Sequence, residues 1–283
     1  MYSARITRDR RTAFVFLCDQ SGSMTERIVF QGSEMHKSEA VATIMNMAIE
    51  ELANRCRRED GIRDYFDITV AGYSGDGIRS LLCTDGTFAS ITELVRCNVP
   101  VKRRHILRIL PGGNQLSATV DQRQWITPAA SGNTPMLAAL EYAEHALRQW
   151  CSARSNRLSY PPTVINITDG EASDADDEQL LHAASRIKSL STYDGNALLF
   201  NIHLAPYTTD RADTVSLPCS EDELPNVKYA SLLYNMSSVL PTQYSQMLSA
   251  ADQSPRHAVC YNCPADELFN MLAIGTASSS MTL

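Results

Sequence analysis

Two stretches of this chain run apolar and then break off at an aspartate. Thr12–Cys18 (T-A-F-V-F-L-C) ends at Asp19, and Thr163–Thr168 (T-V-I-N-I-T) ends at Asp169. Runs without polar alternation mark strands buried on both faces, which is the condition of a parallel sheet covered by helices on either side. In such open sheets ligands bind at the carboxyl ends of the strands. Ala197–Leu204 reads as a further buried strand and Asp64–Tyr73 as another, followed by a Ser74–Gly77 turn and a short returning edge strand over Ile78–Cys83. Between them, apolar positions recur at helical spacing over Ser38–Arg57, from Thr134 to Cys151, and over Glu178–Leu190. Tyr229–Val239 and Pro241–Ala251 read as a helix pair, and Ala265–Ile274 as a last helix with Gly275 as its C-cap. The predicted class is a doubly wound, Rossmann-like, three-layer α/β fold. Its central sheet is mostly parallel with one antiparallel edge strand.

Three loops at strand ends or helix starts carry oxygen-bearing side chains. Asp19, Ser21 and Ser23 alternate around Gly22, so one tight loop can turn a carboxylate and two hydroxyls towards a common point. The same composition also suits turns and helix caps, because short polar side chains bond neighbouring backbone N–H groups. In Ser131-Gly132-Asn133-Thr134-Pro135-Met136, Thr134 sits at a predicted N-cap and Pro135 at the first helical position. Asp169-Gly170 closes the third loop. The donors are all oxygens, as a hard cation such as Mg2+ requires.

D-Q-S-G-S-M, then G-N-T-P-M, then I-T-D-G, in that order, resemble the von Willebrand factor A family and its metal-ion-dependent adhesion site. The likeness extends from about Arg11 to about Gly275, which implies one domain over residues 11–276 with an insertion at about 84–130 and a disordered tail at 277–283. It implies Ser21, Ser23 and Thr134 as hydroxyl ligands, with Asp19 and Asp169 holding the ion directly or through water. The expected ion is Mg2+, with Mn2+ or Ca2+ as alternatives. The function implied is non-enzymatic: the ion receives an Asp or Glu carboxylate of a protein partner. The G-N-T-P-M form looks most like intracellular bacterial members, in texture the tellurite-resistance-type proteins, which implies a signalling or stress-response assembly with kinase, phosphatase or ATPase partners.

Composition sets further limits. A net charge of −7 argues against general nucleic-acid or membrane-surface binding. Eight cysteines (18, 56, 83, 97, 151, 219, 260 and 263) are scattered, several within apolar runs, which reads as reduced thiols in a reducing compartment. No stretch reaches membrane-spanning length and the apolar run after the basic start is too short for a signal peptide, so a cytoplasmic location is expected.

The remaining motifs are weaker. Cys260-x-x-Cys263 is a single pair without the further ligands of a structural zinc site. Gly72-Tyr73-Ser74-Gly75-Asp76 approaches the nucleophile elbow but ends in Asp and leads into a hairpin rather than a helix. No phosphate-binding P-loop is present. His203 reads as a hydrogen-bonded core residue. Glu171, Asp174, Asp176, Asp177 and Glu178 open a helix, where the macrodipole favours negative charge. The basic cluster Lys102, Arg103, Arg104, His105 and Arg108 reads as a solvated strand face, within an insertion expected beside the metal edge as a specificity element. The alternative function is a metal-dependent hydrolase or phosphotransfer enzyme using Asp19 and Asp169, although no general base can be assigned.

Overall fold

Every residue of β1 (Thr12–Asp19) is buried, because the strand is paired along both edges and covered on both faces. A computed structural model describes residues 2–84, 86–109, 115–206, 213–242, 244 and 254–276, with backbone alone for 105–109 and 115–118. After β1 come a 3-10 turn (Gly22–Thr25), the hairpin β2 (Arg27–Phe30) and β3 (Ser33–His36), and helix α1 (Lys37–Arg55). The small hairpin β4 (Arg57–Arg58) and β5 (Gly61–Ile62) leads to β6 (Phe66–Ser74), β7 (Gly77–Ser80), β8 (Ala89–Ser90) and α2 (Ile91–Arg96). A long hairpin, β9 (Val101–Ile109) and β10 (Gln115–Arg123), precedes α3 (Met136–Ser152), β11 (Thr163–Thr168) and α4 (Asp177–Ser189). The chain continues through β12 (Ser191–Thr192), β13 (Gly195–Asn196), β14 (Leu198–Leu204), β15 (Val215–Ser216), α5 (Lys228–Met236), β16 (Val259–Cys263) and α6 (Ala265–Gly275).

The main sheet has the order β15-β16-β14-β11-β1-β6-β7, with β8 also on β6. Its five central strands are parallel. Antiparallel strands close both ends rather than one: β7 and β8 on β6, and β15 on β16. The chain winds from β1 outward to β6 and then crosses to the other side of β1 to form β11, so the switch point lies between β1 and β11. Ligands of open α/β sheets bind at that kind of crevice.

Alternation along β1 sets the two cores. Phe14, Phe16 and Cys18 face one layer with Ile44, Met45 and Ile49 of α1 and Leu268, Met271 and Leu272 of α6. Ala13, Val15 and Leu17 face the other, with Met136, Leu140 and Leu147 of α3 and Leu180 and Ile187 of α4. Side chains of this size contribute about 1.5–3 kcal/mol each on full burial. The architecture is therefore three-layer α/β, with helices on both faces of a mostly parallel sheet.

Several local expectations change. The polar connection between Met24 and Lys37 is a hairpin, because Gln31 (φ 51°) and Gly32 (φ 75°) supply the two positive-φ residues of a tight turn. Gly275 is the last helical residue of α6 rather than its cap; a Cβ there would lie 2.8 Å from Ile165 Cδ1, so the glycine is a packing requirement. Cys83 and Cys97 are joined in a disulfide, which corrects the reading of all eight cysteines as thiols. Cys18, Cys56, Cys260 and Cys263 are buried thiols. The β9–β10 stem packs along α1. Gln122 Nε2 donates to the Thr43 carbonyl (3.0 Å), about two turns below the start of α1, and Asn46 and Ile126 exchange hydrogen bonds just beyond. Arg103 pairs with Asp121 at 3.4 Å, both exposed, as expected of a solvated face. Most of the predicted Pro241–Ala251 helix and the 277–283 tail lie outside the described residues. No helix among the described residues is long and apolar enough to cross a membrane.

Candidate metal centre

β1 ends at Asp19, which is 1% exposed. One carboxylate oxygen accepts from the Ser21 N–H (2.8 Å) and the other from the Thr168 hydroxyl at the end of β11 (2.9 Å). Burial pushes the Asp19 pKa up to about 6, against the opposing pull of the Ser21 hydrogen bonds. The loop after β1 then brings the Ser21 and Ser23 hydroxyls within 3.0 Å of each other. Ser23 Oγ donates to Asp169 Oδ1 at 2.6 Å, joining positions 146 residues apart. The Asp169 side chain is fully buried, and its other oxygen, Oδ2, accepts from the Lys37 ammonium at 2.9 Å.

The Thr134 loop is sewn onto this cluster through backbone. The Gly22 N–H donates to the Gly132 carbonyl (2.9 Å) and the Ser131 N–H to the Gln20 carbonyl (2.7 Å). Thr134 itself is 8% exposed and is clamped by Ser173, whose hydroxyl accepts from the Thr134 N–H (3.0 Å) and whose N–H donates to the Thr134 carbonyl (2.9 Å). Contrary to the sequence reading, Thr134 does not cap α3. Asp174, from the loop after β11, takes the Leu137 and Ala138 N–H groups at 3.1 and 3.0 Å, and Pro135 occupies the N-cap position.

His203, near the end of β14, closes one side. Its ring stacks on Tyr261 (4.6 Å) and meets Tyr229 edge-on (5.6 Å), while the Tyr229 hydroxyl donates to the Gly170 carbonyl. His203 Nδ1 accepts from the Asn262 N–H at 3.3 Å. Burial pushes its pKa down to about 4, with the Lys37 charge acting the same way. Of the acidic loop, Asp174 and Asp176 cap helices and Asp177 pairs with Lys228, which accounts for them structurally.

The donor set fits a hard divalent ion. Octahedral Mg2+ with oxygens at about 2.0–2.1 Å places neighbouring oxygens roughly 2.9 Å apart. The Ser21–Ser23 separation of 3.0 Å matches adjacent corners of such a shell, and Asp169 Oδ1, 2.6 Å from Ser23 Oγ, stands next to them. Asp19, Ser21, Ser23 and Asp169 are thus brought together directly, and Thr134 is brought alongside by its loop. Among the described residues no group of three or more His, Cys, Asp or Glu side chains is placed to hold a metal ion, so the hydroxyls are part of the donor set.

No family model and no curated protein sequence matches the chain. Solved structures with a similar course of the chain include the SpRpn10 VWA domain, at 11% identity over 96% of this chain and 99% of that one, with a TM-score of 0.48. A von Willebrand factor type A protein from Catenulispora acidiphila is 16% identical over 69% of this chain, with a TM-score of 0.40. This chain spans 34% of that protein's length. The vWF domain of the type V pili tip protein Mfa5 from Porphyromonas gingivalis is 11% identical over 73% of this chain and 44% of that one, with a TM-score of 0.32.

Sequence reasoning missed Lys37, Glu26, Thr168 and Ser173. For Lys37 a signal existed. A lysine at the first position of a long helix opposes the macrodipole, which favours negative charge there. An unfavourably placed cation of this kind asks for a carboxylate partner from elsewhere in the chain.

Proposed function

We propose that this chain is a von Willebrand factor A-type domain with a metal-ion-dependent adhesion site, acting as a non-enzymatic protein-binding module. Asp19, Ser21, Ser23, Thr134 and Asp169 would hold Mg2+, or Mn2+ or Ca2+ in its place. The observation that carries the reading is the run of oxygens from Ser21 through Ser23 to Asp169: the two hydroxyls are spaced as neighbouring ligands of one small ion, with Asp169 close enough to hold it directly or through water. A bound divalent ion supplies a coordination place for an outside Asp or Glu carboxylate. Hydroxyls bring no formal charge, so the ligand set leaves that place attractive to an acid.

Non-enzymatic binding is supported by how the neighbouring groups are engaged. His203 accepts the Asn262 N–H on one ring nitrogen, and its ring is held between two tyrosines. It is not poised as a general base, which must reach the proton it removes. A bacterial setting with kinase, phosphatase or ATPase partners belongs to the proposal on the strength of the G-N-T-P-M resemblance alone, and the cytoplasmic location expected from sequence is not kept in it. The Cys83–Cys97 bridge argues against a reducing compartment.

The test is affinity capture with native protein and with Ser21→Ala/Ser23→Ala, each in Mg2+ or chelator, beside calorimetric titration of Mg2+. Capture that needs both the ion and the hydroxyls supports the module. Partners retained equally by all four samples would refute it.

A further inference from the structure

Lys37 Nζ lies 2.9 Å from Asp169 Oδ2 and 2.7 Å from Glu26 Oε2. The Lys37 side chain is 3% exposed and that of Asp169 fully buried, whereas that of Glu26 is 57% exposed. An ammonium is thus sealed beside the candidate ion position, with two of its three donors spent on carboxylates. Its place at the first residue of α1 is electrostatically unfavourable, so the two carboxylates must hold it there. With Ser23 Oγ on Oδ1, both oxygens of Asp169 already have protein donors. The chain therefore neutralises Asp169 without an ion.

We propose that Lys37 is a built-in counter-cation of this site: it holds Asp169 as an outer acceptor rather than a direct ligand, weakening ion binding and sharpening the bound ion's demand for an outside acid. The inference rests on the metal-site reading above. Its logic is charge. Asp19 alone would then contribute full negative charge to the ion, and Glu26, shared with Lys37 from the solvent side, moderates the ammonium. Like charges a few ångströms apart repel far more strongly in a partly desolvated site than in water.

The experiment compares wild type, Lys37→Met, Lys37→Arg and Glu26→Gln by calorimetric titration with MgCl2 and by thermal unfolding in EDTA and in excess Mg2+. Lys37→Met should bind Mg2+ at least about tenfold more tightly, as removal of a neighbouring like charge requires. Its unfolding midpoint should drop in EDTA and recover with Mg2+ by more than that of wild type, because Asp169 then depends on the ion. Lys37→Arg should behave as wild type. Glu26→Gln, which leaves Asp169 on the ammonium, should lose some stability but fold, and should weaken Mg2+ binding, since the ammonium is no longer shared. Equal Mg2+ affinity in wild type and folded Lys37→Met overturns the inference and leaves the metal site standing. If Lys37→Met does not fold, equal affinity in Glu26→Gln overturns it instead. Absence of Mg2+ binding in wild type and all three variants, each folded by circular dichroism, removes the metal-site reading and the inference with it.

Discussion

Gly75, just past the end of β6, and Gly132, at the start of the Thr134 loop, touch backbone to backbone. A Cβ on Gly75 would sit 2.9 Å from Gly132 Cα and 3.1 Å from Asn133 N, and one on Gly132 would sit 2.7 Å from Gly75 Cα. Gly132 also has φ +68°. The Thr134 loop can therefore lie against the β6–β7 turn only because neither partner has a side chain. Gly75→Ala, which leaves φ unstrained, should cost about 1–3 kcal/mol as an overpacking change. It should also weaken Mg2+ binding by displacing Thr134. Gly77→Ala is the control: its Cβ meets open space and its positive φ makes it only a strain change. Urea unfolding and Mg2+ titration of both variants decide the matter. Wild-type Mg2+ affinity in Gly75→Ala would show that the contact does not position the loop.

Two buried groups near the site give the metal-free protein opposing pH dependences. His203 has its pKa pushed down by burial to about 4 from an ordinary 6.5. The unfolded chain therefore binds more protons between those values, and stability falls as pH drops through that window. Asp19 is raised to about 6 from 3.8, so the folded state binds the extra proton and stability rises as pH drops from about 6 towards 4. Each amounts to about 3 kcal/mol at most and the two largely offset. Asp19→Asn should unmask the His203 dependence, losing about 2 kcal/mol more than wild type between pH 6.5 and 4.5 in EDTA. His203→Gln should show the reverse tilt. Parallel pH profiles of urea midpoints for the three proteins would contradict both assignments.

The central strands were legible in sequence because burial on both faces leaves an unbroken apolar run, and the abrupt stop at Asp19 and Asp169 marks the strand ends. The Asp19 carboxylate and the two hydroxyls of the first loop follow from where that strand stops. What sequence concealed depends on contacts distant along the chain. Thr134 has good N-cap chemistry, yet Asp174, reaching back from beyond β11, occupies the role. Lys37 finds Asp169 across 132 residues. The β2–β3 hairpin turns on Gln31-Gly32, and glutamine at a positive φ is not among the usual signals for such a turn. Cysteine pairing likewise follows from geometry that spacing does not encode.

The Cys83–Cys97 bridge makes a countable prediction. The denatured, unreduced protein should show six reactive thiols, and eight after reduction. The bridge closes a separation of 14 residues, for which restriction of the unfolded chain amounts to about 3 kcal/mol. Dithiothreitol, or Cys83→Ser/Cys97→Ser, should lower the urea midpoint accordingly. Mg2+ affinity should stay the same, because the bridge ties the β7–β8 connection to the end of α2 rather than to any loop of the site. Eight thiols before reduction would exclude the bridge.

A buried row of polar side chains crosses the sheet next to the strand ends that carry the site. The Tyr73 hydroxyl donates to Asn166 Oδ1 (3.0 Å), Asn166 Nδ2 to Asn201 Oδ1 (3.1 Å), and Asn201 Nδ2 to Ser237 Oγ (3.0 Å), just past the end of α5. Ser237 Oγ in turn donates to the Leu233 carbonyl at 2.7 Å. All four residues are buried, so removing one leaves its neighbour desolvated without a partner. Tyr73→Phe should cost about 1–3 kcal/mol, the penalty for stranding Asn166 Oδ1. Asn166→Leu should cost more, since it strands a group on either side. Together the two should cost less than the sum by about 1 kcal/mol, because the second change no longer breaks a bond the first has already removed. None of the four residues is a proposed ligand, so Mg2+ affinity should change little while stability falls, separating a row that holds the strands in place from one that shapes the site. Strict additivity of the two unfolding energies would mean that Tyr73 and Asn166 are not energetically joined.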